Sequence, residues 1–509
     1  MQHRRIDPVV LVLVAAKIGI HLASTLRDNW FRDEFYYLAC ARRLDWSYVD
    51  HPAFSIAALA VLGSLATSLI TLRLLTAALG GLCILVAADL AKQVQGSTTA
   101  MRLTAVALLL SPGFLGLYSF YSMNAWEPLF WLAGAICSIR LSDLPADRRR
   151  WLVLSLVLAI GLHNKWSMLW FAVPALAVTA VQWARWPGAF SGWCASIAVI
   201  ALAALPLVWW QAAHGYPTLE FMANAQRLKL VHRGVAAFWL DQVLVFGPLI
   251  CLLSLAGSWG CLTKAGMRRR SLPVAAAVLA VAALLTVTPG ARSYYMAPAY
   301  AVIVPLGAAV LCSSPLWQRN PVAMGSLLAL LTLPGVAGAP LALPLLTPEQ
   351  TATYATALGI QAPREEQTGA SALPQHLADR HGWEELARTV AGALESLPPA
   401  TRASVTIMTS NYGQAGALEF YRSRYGLPDR IVSPHNNYWY WAHPEEWSTH
   451  FVTVGFPIVG LSQFCDRVVQ LAVVQCQWCR PGEDGAVVAY CDYSRRDAKA
   501  VWQQLRRFL

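Results

Sequence analysis

The stretch AFSIAALAVLGSLATSL, residues 53–69, decides how the rest of the chain is threaded. It is apolar enough to count as a membrane span. Counting it inverts every loop downstream and puts the arginine triplets at 148–150 and 268–270 on the side opposite Arg4 and Arg5. Short basic loops gather on the cytoplasmic side of a polytopic protein. Residues 53–69 are therefore read as a helix lying in, or dipping into, the outer membrane interface. The first outer loop then runs from about residue 27 to 70, too long for a simple connector.

Composition supports this reading. The 509 residues are 56% hydrophobic and 13% charged, with mean hydropathy +0.45, whereas a soluble domain carries about 25% charged residues. Apolar segments fall at 8–26, 70–91, 101–119, 126–141, 151–163, 165–183, 193–211, 238–258, 273–288, 294–312 and 322–346. The expected fold is a polytopic α-helical membrane protein with about 11 transmembrane helices, thirteen being the alternative count. With the N-terminus inside, the loops bearing Lys92 and Arg102, Arg140 and Arg148–Arg150, Arg185, Lys264 and Arg268–Arg270, and Arg319 all fall inside. The net charge of +11 is thus an orientation signal rather than a nucleic-acid footprint. Pro8 to Leu26 reads as an uncleaved signal anchor.

An odd number of spans puts the C-terminal part outside. Three parts are expected: a membrane domain over 1–346, a polar linker over 347–380, and a small α/β domain over 381–509. Residues 383–397 and 415–425 have helical periodicity, and 404–409, 451–459 and 468–475 read as strands. Of the 11 cysteines, seven are scattered through the apolar part. Cys465, Cys476, Cys479 and Cys491 lie near the C-terminus. One CxxC without a second argues against zinc, and one or two disulfides are expected outside the cytoplasm.

The first outer loop holds RDNWFRDEFYYLACARRLDWSYVDHP, residues 27–52. Trp30, Phe31, Tyr36, Tyr37, Trp46 and Tyr48 suit a membrane boundary. Asp33 and Glu34 start a helical run, where an acidic pair ordinarily caps free N–H groups. Asp50 and, in the next outer loop, Glu127 bring further acids to the same face. Convergence of acids from two loops favours chemistry over capping.

RDEFYYLACARRL followed by SYVDHPAF resembles the first outer loop of the membrane glycosyltransferases of the C superfamily, which use polyprenyl-phosphate sugars. These include protein O-mannosyltransferases and the lipid A aminoarabinose transferase. YSMNAWEPLFWLAGA, GLHNKWSMLWF, HGYPTLEFMANAQ and ARSYYMAPAYAVIVPLGAAVL are similar to later family segments. TSNYGQAGALEFYRSRYGLP and SPHNNYWYWAHPE are similar to the C-terminal domain of the bacterial members.

The resemblance implies an inverting sugar transfer from a polyprenyl (undecaprenyl) phosphate carrier to a glycolipid, glycan or protein acceptor. It implies the periplasmic face of a bacterial inner membrane. Asp33 would be the general base and Glu34 its companion. Such a reaction needs a base for the acceptor proton and positive charge for the departing phosphate. Tyr37, Tyr48, His51, Lys165, Arg292 and Tyr294 form the expected substrate- and phosphate-binding set. His51 stands where the lipid A enzyme has Lys, and its charge is not fixed near neutral pH. Asp50 and Glu127 are candidate ligands for a divalent metal, Mg, Mn or Zn. A solvated carboxylate is the ordinary account of Glu127, and snorkelling that of Lys165 and Lys17. His214, Glu220, Asn224 and Gln226 are candidate lining residues, although loop polarity also explains them. Asn411, Tyr412, His435, Asn436 and Asn437 match family positions, and turn formation is their ordinary account. The alternatives are a non-catalytic receptor for lipid-linked sugars, which would tolerate loss of Asp33, and a transporter or flippase for a lipid-linked sugar. A transporter needs ionisable groups near mid-membrane, and the acids cluster outside instead.

Overall fold

Apolar residues over sixteen or more positions leave the backbone one economical choice in lipid, a helix that satisfies its own hydrogen bonds. The computed structural model describes residues 7–95, 97–183, 186–360, 366, 369, 371–493 and 498–509. All eleven apolar segments carry helix. Among the described residues six helices are long and apolar enough to cross a membrane: Pro8–Arg27, Leu69–Val94, Pro187–Ala213, Ala265–Val287, Ser293–Cys312 and Pro321–Ala342. The Ser293–Cys312 segment is 83% buried and forms the bundle's centre, whereas Pro321–Ala342 is 11% buried and lies at its edge.

Two expected spans are broken. The segment at 101–119 divides into helices Thr98–Leu109 and Pro112–Leu117. Pro112 disfavours helical geometry at the residue before it. The segment at 238–258 divides into Val235–Phe246 and Pro248–Thr263, bent by 112°. Gly247, at φ 91, ends the first helix in a conformation that side chains resist, and Pro248 starts the second. The second half then packs tightly. A Cβ on Gly307 would fall 1.8 Å from the Leu253 carbonyl oxygen, and one on Gly257 would fall 2.5 Å from that of Ile303. Two glycines thus let helix Pro248–Thr263 touch helix Ala297–Cys312 backbone to backbone.

Residues 53–69 contain an eight-residue helix, Phe54–Val61, and a 3₁₀ turn, Gly63–Thr67. Eight residues rise about 12 Å, far short of a hydrocarbon core of about 30 Å. Lys17 does not snorkel. It is buried at 1% exposure and donates to the Phe114 carbonyl at 2.8 Å. The helix break at Pro112 places that carbonyl within its reach.

The C-terminal part contains a five-stranded sheet. Its strands are β1 (Thr406–Thr409), β2 (Ile431–Val432), β3 (His450–Val454), β4 (Arg467–Val473) and β5 (Val487–Asp492), in the order β2-β1-β3-β5-β4. β2, β1 and β3 run parallel, and β5 pairs antiparallel with both β3 and β4. Residues 458 and 459, expected to end a strand, instead begin the short helix Ile458–Leu461 after Pro457. Disulfides join Cys465 to Cys491 and Cys476 to Cys479, and the other seven cysteines are free.

The expected domain boundary is not a boundary of packing. One apolar core contains Phe35, Tyr36, Tyr37 and Tyr48 of the first loop together with Trp383, Ile407, Leu418 and Val488. Helix Arg32–Arg42 lies on helix Tyr412–Tyr425 through two glycines. A Cβ on Gly413 would fall 2.7 Å from Arg32 Cγ, and one on Gly416 would fall 2.8 Å from Phe35 Cβ. The expected linker is also packed. Pro348–Ala357 is helical with a Thr347–Gln350 capping box, Leu373, Leu377 and Ala378 form a small core, and Asp379 and Arg380 are buried. Residues 361–365, 367, 368 and 370 of that segment lie outside the described residues.

Candidate active site

Neighbouring residues on a helix point about 100° apart, so the Asp33-Glu34 pair at the start of helix Arg32–Arg42 divides its work. Glu34 turns inward and is fully buried. It accepts from the Phe31 and Tyr121 N–H groups at 2.8 Å each and from Arg73 Nη2 at 3.0 Å. Arg73 also pairs with Asp28, which in turn pairs with Arg380, and Arg380 donates to Ser119 Oγ at 2.7 Å. Glu34 is thereby a fixed post for the helix. Asp33 turns the other way, is half-buried, and accepts from the Tyr412 hydroxyl at 2.8 Å.

Asp50 lies beyond a short aromatic bridge. The Tyr412 and Tyr36 rings are 4.9 Å apart, and the Tyr36 hydroxyl lies 3.1 Å from Asp50 Oδ1. Burial raises the Asp50 pKa, His51 opposes that rise, and the Asp33 charge adds to it. His51 is buried, with Nδ1 3.0 Å from the Pro52 carbonyl, Nε2 3.8 Å from Asp50, and its ring stacked on Tyr37 at 4.8 Å. A carbonyl only accepts, so Nδ1 carries the hydrogen. The Tyr37 hydroxyl accepts from the Met123 N–H at 3.3 Å, which ties this loop to the next one.

Glu127 sits near the start of helix Met123–Asp143. Lys165 Nζ meets it at 2.7 Å, and Ser167 donates to its other oxygen. Lys165 also donates to Asn124 at 2.8 Å and lies 5.2 Å over the Tyr295 ring. Tyr294 packs edge-on against Tyr295 at 4.8 Å.

Arg292 opens a basic cluster around Glu366. Arg292 and Arg480 each reach that carboxylate at 2.8 Å, and Lys229 reaches it at 3.6 Å. Burial pushes the Glu366 pKa up, but Lys229, Arg480, Arg292 and Arg32 together hold it well below the usual carboxylate range. Arg32 is buried over the Tyr412 ring at 4.4 Å, and its Nε has no hydrogen-bond partner among the described residues. Arg32 adjoins Asp33 in sequence and the Asp33 charge acts on Lys229, so the cluster borders the carboxylate expected to act as base.

Asp379 faces Arg480 at 3.5 Å, and burial raises its pKa to about 6 against the pull of Arg480 and Arg32. Its ordinary value is 3.8, so between about pH 4 and 6 the folded state holds a proton that the unfolded state has lost. Stability from this group is complete below its unfolded pKa and is lost as pH rises toward 6. Asp379→Asn is therefore expected to melt higher than the parent chain at about pH 7.5, with that advantage shrinking at about pH 4.5. Thermal scans in detergent at both pH values check this, and an offset that does not change with pH refutes it.

Several expected residues have other duties. The Tyr48 hydroxyl faces the Cys40 and Arg43 carbonyls at 3.2 Å each and accepts from the Asp45 N–H, closing the loop's own turn. Glu220 pairs with Arg506 at 3.0 Å, Asn224 donates to the Phe508 carbonyl, and His214 stacks on Trp210. Asn411 caps helix Tyr412–Tyr425, and Asn437 Oδ1 accepts from the Val49 N–H at 2.7 Å. Asn436, at φ 49, occupies a turn. Arg32, Lys229, Glu366, Asp379 and Arg480 were not expected. Arg73 had a legible signal, as an arginine inside an apolar helix.

The donor set does not suit a preformed metal centre. Among the described residues no three His, Cys, Asp or Glu side chains converge. Both Glu127 oxygens are already engaged, and Asp50 has a phenol and an imidazole beside it.

No family model matches the chain, and no curated protein matches it in sequence. Solved structures do. ArnT from Cupriavidus metallidurans bound to undecaprenyl phosphate superposes with TM-score 0.60 at 15% identity, over 94% of this chain and 97% of that one. Its apo state gives the same values. An Archaeoglobus fulgidus oligosaccharyltransferase in complex with zinc and sulfate gives TM-score 0.50 at 13% identity, over 88% and 68% of the two chains. The chain has the fold of these membrane glycosyltransferases, as its loop motifs lead one to expect.

Proposed function

We propose that this chain is an inverting glycosyltransferase of a bacterial inner membrane. It takes a sugar from a polyprenyl phosphate of the undecaprenyl type and passes it to an envelope glycolipid, glycan or protein at the periplasmic face. The observation that carries the reading is one juxtaposition. A carboxylate aligned by a phenol, Asp33 on Tyr412, borders a partly buried cluster of Arg32, Lys229, Arg292 and Arg480. The fold shared with a protein bound to undecaprenyl phosphate agrees with it.

In this reading Asp33 takes the proton of the acceptor hydroxyl as its oxygen attacks the anomeric carbon from the side opposite the phosphate. The bond from that carbon to the phosphate oxygen breaks, and its electron pair leaves with the lipid phosphate. Asp33 supplies the base, and the cations stabilise charge that grows only as the bond breaks. The Tyr412 hydroxyl occupies one carboxylate oxygen and leaves the other for the proton. No step is routed through a metal. The C-terminal part shares a core with the first outer loop and therefore lies on the same side as Asp33. The basic loops assign the opposite side to the cytoplasm.

Mass spectrometry of envelope glycolipids and glycans from cells with and without the gene tests the reading. The expected result is one sugar mass missing from one acceptor class. Identical profiles in every envelope fraction overturn it.

A further inference from the structure

The cations that a lipid phosphate would need are already occupied by one side chain. Glu366 is 6% exposed, and its carboxylate lies among Arg292, Arg480 and Lys229 at 2.8, 2.8 and 3.6 Å. Its backbone forms a bridge with Leu230, the residue after Lys229. The guanidinium forks that bind a carboxylate also match a phosphate. Two anions in so dry a space repel strongly, so an incoming phosphate and Glu366 compete for the same donors.

We propose that Glu366 is an exchangeable counter-ion. It stands where the carrier phosphate sits during turnover, and it helps to expel the spent carrier. The proposal rests on the transferase reading above. Its logic lies in the change of charge. The donor is a phosphodiester with one negative charge. The product is a phosphomonoester carrying about 1.5 to 2 charges near neutral pH. The cation cluster therefore grips the product more firmly than the donor, and an enzyme built only of cations would stall on it. A resident carboxylate that reclaims the cations lowers the affinity for product and lets the carrier leave.

The test measures binding of undecaprenyl phosphate to the full chain in nanodiscs. Glu366→Gln is expected to bind it about tenfold tighter than the parent chain, and Arg292→Gln or Arg480→Gln about tenfold weaker, the scale of one lost charge interaction. Glu366→Asp keeps the charge and is expected to bind as the parent does. If Glu366→Gln binds no tighter while the arginine variants still weaken, the counter-ion role fails and the phosphate site stands. If Glu366→Asp tightens as much as Glu366→Gln, the effect is one of packing and the proposal fails. If neither arginine variant weakens binding, the site itself is misplaced and the transferase reading falls with it. Inorganic phosphate is expected not to displace the lipid. Displacement at equal concentration would assign the cluster to free phosphate and overturn the lipid reading.

Discussion

Asp33→Asn is expected to lower turnover by about 10²- to 10⁴-fold, the range typical of a positioned general base. The substitution keeps the shape and can still accept from the Tyr412 hydroxyl, so the loop is expected to fold unchanged. It removes only the capacity to take a proton. Binding of the carrier phosphate, which the proposed mechanism gives to the cations, is expected to persist within a few-fold. The measurement is transfer rate alongside binding of undecaprenyl phosphate, for the parent chain and the variant. Retained turnover would remove Asp33 from the reaction. Loss of turnover and binding together would mean that the residue shapes the carrier-phosphate site instead. A non-catalytic receptor for lipid-linked sugars would show neither loss.

Arg73→Met is expected to cost about 3–5 kcal/mol of stability, the range for breaking a buried ion pair by removing one partner. Arg73 is 2% exposed and serves two carboxylates, Asp28 and Glu34, together with the Asn29 carbonyl at 2.9 Å. Without it Glu34 keeps its two backbone N–H donors but loses its countercharge, and Asp28 keeps Arg380 and the Asn29 N–H. The typical substitution costs about 1 kcal/mol, so this effect should stand out in a thermal scan. Arg73→Lys is expected to recover only part of the loss, because an ammonium cannot fork between two carboxylates. An unchanged melting temperature in Arg73→Met would show that the first loop is held by its aromatic core alone.

These two expectations also show how far the sequence could be read. The place of Asp33 in the first turn of a helix was legible because the acidic pair opens a helical run rich in aromatics. The helices were legible because apolar length alone requires them. The bends at Pro112 and Gly247-Pro248 were written plainly in Pro and Gly, yet hydropathy averaged over a span conceals them. The two-residue strand β2 is too short to carry a pattern, and β5 follows directly on the PGEDG turn. The division of labour between Asp33 and Glu34 was implied only by the family resemblance, because both are acids in one turn and the residues themselves do not separate them. Glu366, Asp379 and Arg480 were not legible either. Each meets its partners across a long stretch of chain, and no local period encodes such a meeting. The segment around residues 366–380 looked like a tether because it is polar. It is polar because it supplies charge to a buried cluster.

The bond between Asp33 and Tyr412 joins residues 379 positions apart. In the proposed mechanism, a ribosome therefore delivers the base to the membrane face long before it has made the phenol that aligns it, and Arg480 emerges later still. The nascent chain can thread its helices in that interval but has no assembled centre with which to consume carrier. On that mechanism competence arrives only when the last part of the polypeptide folds back onto one of the first, and an interrupted translation would leave an inert membrane protein rather than an unregulated one.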